Sequence, residues 1–342
     1  MISIMKNSHI MYCVITTIAE PTKGVRMFVS KLSDFDGHLV VVGDEKGPYS
    51  YNTDATSFFS LKNQTELPFK LINNLPTCHY ARKNIGYLYA IRKKANCIYE
   101  TDDDNAPLSQ WKLRQLQVEA RVPQKEGWLN VFKYFTNEFI WPRGFPLGYV
   151  RNSNADYDLS CAEQISIKAP IQQGLADNSP DVDATWRLLH DKMITFHEGP
   201  SIYVKPGLWC PFNSQSTWWW PEAYPLMYLP SFCSFRMTDI WRSFIAQRCL
   251  WEMGYGVVFH SSEVYQDRNV HDLMRDFEDE IPGYLGNQRF VDILGALSLK
   301  AGAGNVIENF LLCYEALIKK GFFPQQEYGL VEAWVSDIES IM

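Results

Sequence analysis

The sequence has no CxxC pair, no basic excess, no apolar run near membrane length, no internal repeat and no low-complexity tract. Each absence removes a class of protein. Its eight cysteines, Cys13, Cys78, Cys97, Cys161, Cys210, Cys233, Cys249 and Cys313, are scattered without the spacing of a zinc knuckle or a disulfide framework, so they read as reduced, mostly buried thiols. A formal net charge of -7 argues against a nucleic-acid surface, which needs clustered Lys and Arg to displace phosphate counterions. No stretch approaches the roughly 18 apolar residues of a membrane span, and residues 1–11 are interrupted by Lys6, Asn7, Ser8 and His9, unlike a signal peptide. The expectation is a soluble, cytoplasmic chain with room for peripheral work beside a membrane. Residues 16–23 also lack the Gly-rich, Arg/Lys-bearing loop with which a nucleotidyltransferase grips a triphosphate.

What is present is a chain of 342 residues rich in aromatics, with 11 Trp, 18 Tyr and 20 Phe, more rings than packing alone requires. Residues 11–18 (MYCVITTI) form a short β-branched run closed by Glu20 and Pro21, the pattern of a buried strand. Residues 39–42 form a second, running into Gly43, Asp44, Glu45, Lys46, Gly47 and Pro48. Residues 83–94 place Ile85, Leu88, Tyr89 and Ile91 at helical spacing with a basic end that suits the helix dipole. Residues 97–99 then make a brief strand. Strand, loop, strand, helix, strand is the opening of an α/β sheet of mainly parallel order flanked by helices. In such sheets ligands gather at the carboxyl ends of the strands.

Beyond residue 110 the pattern is less regular, with Pro, Gly and Trp suggesting ordered loops and short strands up to Trp218, Trp219 and Trp220. Residues 238–253 read as a helix with Thr238 as N-cap and Gly254 as its stop. A strand follows at 256–259, and the C-terminal part from about 289 reads as helical.

The acidic run Asp102, Asp103, Asp104 stands directly after the third strand. Divalent cations such as Mn2+ or Mg2+ take hard oxygen ligands and leave positions open for phosphate. Two carboxylates one residue apart on a tight turn can hold such a cation while a diphosphate completes its shell. The competing reading is a solvated turn or helix cap. Three like charges at a sheet edge repel, however, and a fold gains nothing from them without a cation between. An EF-hand is excluded because residues 102–105 lack its spaced oxygens and terminal Glu.

Taken together, TTIAEPT at 16–22, VVVGDEKGP at 40–48, KNIGYLYAI at 83–91, IYETDDDN at 98–105, SPDVDATWRL at 179–188 and TDIWRSFIAQRCLWEMGY at 238–255 resemble the STELLO-type glycosyltransferases, in matching order over residues 11–284. The resemblance implies the GT-A fold, a Rossmann-like sheet. It also implies a nucleotide-sugar donor, a UDP-sugar by preference, held with Mn2+ or Mg2+, and transfer to a hydroxyl of a glycan or lipid-linked acceptor in polysaccharide biosynthesis. Residues 1–284 would form that domain, with a nucleotide-binding part at about 10–110 and an acceptor part at about 111–284, and residues 285–342 a C-terminal helical extension.

Residue by residue, the expected nucleotide contacts are Thr16, Thr17, Glu20, Asp44, Lys46, Asn84, Gly86, Asp102 and Asp103, with Arg187 for a phosphate. Lys46 has an equal reading as an exposed loop lysine, and Gly86 as a close-packing glycine. Asp104 and Asp102 are the expected metal ligands, with a third from His271 or, as the other candidate, His260. An inverting reaction needs a carboxylate base. Asp239 is the first candidate, although an Asp in a first helical turn also stabilises the dipole, and Asp183 is the second. Trp218, Trp219 and Trp220 are candidates for stacking on an acceptor sugar or for the core. A non-catalytic carbohydrate-binding protein and a sugar nucleotidyltransferase are the rival functions.

Overall fold

A computed structural model describes residues 11–151, 159, 162–190, 192–269 and 272–342. The chain opens on β1 (Met11–Thr16), whose Met11, Cys13 and Ile15 pack on one face and Tyr12 and Val14 on the other, as the strand period of two dictates. Next comes α1 (Lys23–Ser33), in place of the loop expected after the first strand. Thr22 caps it by accepting from Val25 N at 3.1 Å, and Val25, Phe28 and Leu32 form its buried stripe.

β2 (His38–Val42) pairs parallel with β1, and β3 (Thr56–Phe59) extends the sheet in parallel beyond it. After the single turn α2 (Leu61–Gln64), α3 (Lys83–Arg92) crosses β1 and β2 closely. Gly86 permits that approach: a Cβ there would sit 2.5 Å from Val14 Cγ1. β4 (Cys97–Thr101) then pairs parallel with β1 on its free side.

The second half is mixed. Its elements are β5 (Asn105–Pro107), β6 (Gln117–Val122), β7 (Gly127–Trp128), α4 (Leu147–Val150), β8 (Glu163–Lys168), β9 (Ile171–Asp177), α5 (Ala184–His190), β10 (Ile202–Val204), β11 (Leu208–Trp209), β12 (Ser216–Trp219), α6 (Thr238–Glu252) and β13 (Val257–Gln266). The main sheet runs β3-β2-β1-β4-β12-β9-β13-β10-β6-β8, with β5 on β13, while β7 and β11 pair separately. β12 is antiparallel to both β4 and β9, and β9 and β13 are parallel. The expected α/β architecture is thus present, its parallel order concentrated in β3-β2-β1-β4.

α7 (Leu273–Gly295), α8 (Val306–Lys319) and α9 (Gln326–Ile341) finish the chain. They are not an appendage, because α7 runs unbroken through residues 284 and 285 and the helices share the main core with β1, β2 and α3. Buried Glu327 accepts from Ser231 N, Phe232 N and Tyr228 Oη, and Asp337 accepts from Lys70 N and Leu71 N at 2.8 and 2.9 Å. A boundary after residue 284 therefore falls within one packed unit. Thr238 is likewise the first residue of α6 rather than its cap; Met237 holds the cap position without a side-chain bond.

Trp218, Trp219 and Trp220 are core, which corrects their expected place at an acceptor surface. On strand β12 successive side chains point to opposite faces. Trp218 stacks on Trp111 and donates to Glu263 at 3.0 Å, whereas Trp219 lies in the other core and donates to Glu100 at 2.8 Å. Trp220 is also buried.

Candidate active site

The carboxyl ends of β1, β2, β4, β9 and β13 border a cleft of about 490 Å3. Thr16, Thr17, Asp44, Lys46, Asp102, Asp103, Asp104, Arg187 and Asp239, all expected from the sequence, line it. Glu20 is exposed and outside that lining. Asn84 is fully buried, exchanging hydrogen bonds with the Leu229 backbone at 2.8 and 2.9 Å, and Gly86 serves helix packing. Neither meets the cleft, so both expected contacts are corrected. One residue earlier, the buried Lys83 reaches the acid run instead, with Nζ 2.6 Å from Thr101 O and 3.1 Å from Asp102 Oδ1.

The acid run is held in detail. Tyr80 donates to Asp102 Oδ1 at 2.6 Å, so both bonds to that carboxylate fall on one oxygen. Asp103 takes Thr17 Oγ1 on its side chain and Thr22 Oγ1, at 2.6 Å, on its carbonyl. Asp104 accepts at Oδ2 from Gln266 of β13 at 3.0 Å, while its buried Oδ1 has no hydrogen-bond partner. The local backbone is pinned by α1: a Cβ on Gly24 would lie 2.1 Å from Asn105 O. Burial, then the charges of Asp102 and Asp103, push the Asp104 carboxyl up to about 7. Burial raises Asp103 as well.

This arrangement fits a divalent cation through an orphaned oxygen in an electron-rich turn, with Asp102 and Asp104 each fastened by one oxygen only. Among the described residues no group of three or more His, Cys, Asp or Glu side chains converges as a complete site. Two carboxylates with the remaining ligands from phosphate and water is the usual arrangement for a hard cation such as Mg2+. His260 is not a third ligand: it is buried between Ser201 Oγ and the side-chain Oε1 of Gln172 at 2.8 and 2.9 Å, which corrects that candidate. His271 lies outside the described residues.

At the β2 end Asp44 accepts from Cys78 N and His79 N at 2.9 and 3.0 Å, fixing the strand-to-helix connection along the cleft. Lys46 is exposed beside it. Across from it, the exposed Phe235 meets the rings of His79 and Tyr80 edge-on, making an aromatic wall.

The two expected bases are otherwise engaged. Asp183 stands behind the cleft, accepting from Trp141 Nε1 at 2.6 Å and from Trp186 N at 2.8 Å. Burial raises its carboxyl to about 7, but it caps α5 and touches no open space, so it cannot meet an acceptor. Asp239 borders the cleft with both oxygens bound to Arg143, at 3.0 and 2.9 Å, and with Ser214 N and Oγ at 3.2 Å. Burial would raise this carboxyl, but the Arg143 guanidinium overrides it and holds it at about 2. A group so acidic and so fully engaged is a weak proton acceptor.

Arg143 itself is a residue the sequence pattern gave no reason to choose. Its five N–H groups go to Asp181, Asp239 and the Arg236 carbonyl, joining the loop after β9 to the start of α6. Asn213, Ser214, Phe235, Arg236, Gln266 and Arg268 also line the cleft unexpected. Their only sequence signal is position, since several stand at the ends of β12, β13 and α6.

The family model for STELLO glycosyltransferases matches residues 236–342, from just before α6 to the C-terminus. Two Arabidopsis thaliana proteins, named probable glycosyltransferase STELLO2 and STELLO1, are 26% and 25% identical over 348 and 351 residues. Each alignment covers 96% of this chain and 44% of the relative, so the chain spans less than half the length of either. Among solved structures, a Mycobacterium tuberculosis glucosyl-3-phosphoglycerate synthase superposes with a TM-score of 0.39 at 11% identity, covering 82% of this chain and 81% of that one. With a match across its last three helices and relatives along nearly its whole length, the chain is similar to the STELLO glycosyltransferases.

Proposed function

We propose that this protein transfers a sugar from a nucleotide-sugar donor, a UDP-sugar, to a hydroxyl of a glycan or lipid-linked acceptor, with Mn2+ or Mg2+ on the donor diphosphate. The observation that carries this reading is the pair of carboxylates with uncommitted oxygens, Asp102 and Asp104, inside a cleft at the sheet's carboxyl edge. A cation there would neutralise charge on the departing diphosphate. Thr16, Thr17, Asp44 and the His79 ring line the space on the β1 and β2 side, where a nucleoside fits. Lys83 and Tyr80 orient Asp102, Gln266 orients Asp104, and Thr17 orients Asp103. Arg143, Asp181 and Asp239 form a rigid wall on the opposite side that positions the acceptor, and Asp239 acts there by fixing Arg143 and Ser214 rather than by taking a proton. The burial of the three tryptophans removes the main support for a carbohydrate-binding protein without chemistry.

Purified protein with Mn2+, screened against a panel of sugar nucleotides, should slowly release free sugar from one of them. Asp104→Asn should abolish that release. A panel with neither hydrolysis nor nucleotide binding would overturn the reading.

A further inference from the structure

α7 carries two buried acids one helical turn apart, Asp276 and Glu280, and each holds an arginine from another segment. Glu280 Oε1 meets Arg236 Nε and Nη2 at 2.9 and 2.8 Å. Asp276 Oδ2 meets Arg268 Nη2 at 2.8 Å. Both arginines line the cleft, Arg236 from the segment leading into α6 and Arg268 from the loop after β13. They are close enough that the charge of Arg236, second to burial, lowers the pKa of Arg268.

Arg143 provides the contrast on the same wall, because every N–H it owns is consumed by protein acceptors. Arg236 Nη1 and Arg268 Nε and Nη1 meet no protein acceptor among the described residues. Holding two like charges together from behind, with buried acids, is an expensive arrangement for stability alone. It presents two planar guanidinium groups with donors left over, the geometry that recognises phosphate or carboxylate oxygens.

Resting on the transferase reading above, we propose that Arg236 and Arg268 form a pre-built oxyanion subsite that takes a phosphate group on the acceptor. Both arginines adjoin the wall assigned to the acceptor: Arg143 binds the Arg236 carbonyl and the Asp181 carboxylate, and the charge of Asp181 reaches Arg268, which also stands beside the acid run because Gln266 and Asp267 bond Asp104. On that reading the donor diphosphate would take its countercharge from a cation held by Asp102 and Asp104 and from Lys46. The acceptor class is therefore a phosphorylated sugar or a phosphate-bearing lipid-linked glycan rather than a neutral one.

The test is titration of the full chain, stripped of metal, with inorganic phosphate as the probe. Wild type and Asp104→Asn should bind it alike. Arg268→Gln should weaken it by at least about tenfold, the loss of charge-assisted hydrogen bonds. So should Arg236→Gln combined with Glu280→Gln, a pairing that leaves no buried charge alone. Adding saturating UDP with Mn2+ should leave phosphate affinity within about twofold. Equal affinity in wild type and both arginine variants, or no binding in wild type, would overturn the subsite. Displacement of phosphate by UDP with Mn2+ would overturn its assignment to the acceptor, giving the arginines to the donor instead. Failure of the transferase reading shows separately, as absence of UDP binding, and leaves the phosphate titrations to decide the subsite.

Discussion

Glu100 and Asp104 lie four residues apart at one end of one strand, yet their surroundings are opposite. Glu100 is fully buried and fully matched: Arg242 meets both its oxygens at 2.9 and 2.7 Å, Trp219 donates at 2.8 Å and Tyr87 adds a further bond. Asp104 has two like charges beside it, one hydrogen bond from Gln266 and an oxygen with none. A carboxylate that serves the fold recruits its own cation from the chain. On the proposed function, one left short of partners at a cleft is kept for a ligand, and the fold tolerates it because α1, Thr17, Thr22 and Tyr80 hold the turn rigid.

The largest effect should come from breaking the matched acid. Arg242→Met leaves Glu100 charged in the core without its cation, with only Trp219 and Tyr87 as partners, and should lower unfolding free energy by about 3–5 kcal/mol in urea melts. A loss under about 1 kcal/mol would show that Glu100 is not the matched, structural member of the pair. Next is Gly24→Ala. Its methyl would press on the Asn105 carbonyl and shift the acid run, destabilising by about 1–3 kcal/mol and weakening nucleotide binding with Mn2+. If nucleotide affinity is untouched, the turn's rigidity is irrelevant to binding.

Lys83→Met should do less to the fold than to the site. It strips Asp102 of its buried cation and should weaken UDP binding by about tenfold, the equivalent of one charge-assisted bond. Lys46→Ala should be the mildest, within about 0.5 kcal/mol in stability because the side chain is exposed, with a loss of donor affinity of a few fold. Isothermal titration with UDP and Mn2+ reads both.

Much of the nucleotide half was legible in the sequence for a physical reason. β1, β2 and β4 are short β-branched runs that end in Gly, Pro or Asp, and α3 has helical spacing, so their carboxyl ends could be aligned without coordinates. Helix α1 carries its own signal, Val25, Phe28 and Leu32 at helical spacing behind the Thr22 cap, and the Glu20 and Pro21 that close the first strand masked it. Of the two readings open for the tryptophans, the core one holds for a local reason: their chemistry suits sugar stacking, but a strand buried on both faces hides alternate residues in two different cores. Asp239 was legible as a residue at the cleft and not as the partner of Arg143, because 96 residues separate the two and the contact is made only in the folded chain. Lys83, Tyr80 and Arg236 escaped for the same reason, each acting through a partner from a distant segment, whereas Arg268 pairs with Asp276 only eight residues on and no pattern marks it.

The central claim is that Asp104 is an acid held in reserve for a cation on a nucleotide. Its direct test is the melting temperature of wild type and Asp104→Asn, each with UDP, with Mn2+ and with both. Wild type should be stabilised by UDP and Mn2+ together far more than by either alone. The variant should match or exceed wild type without ligand, by up to about 1 kcal/mol, and lose the joint effect. A variant that keeps the joint stabilisation, or that unfolds as Arg242→Met should, would contradict the account.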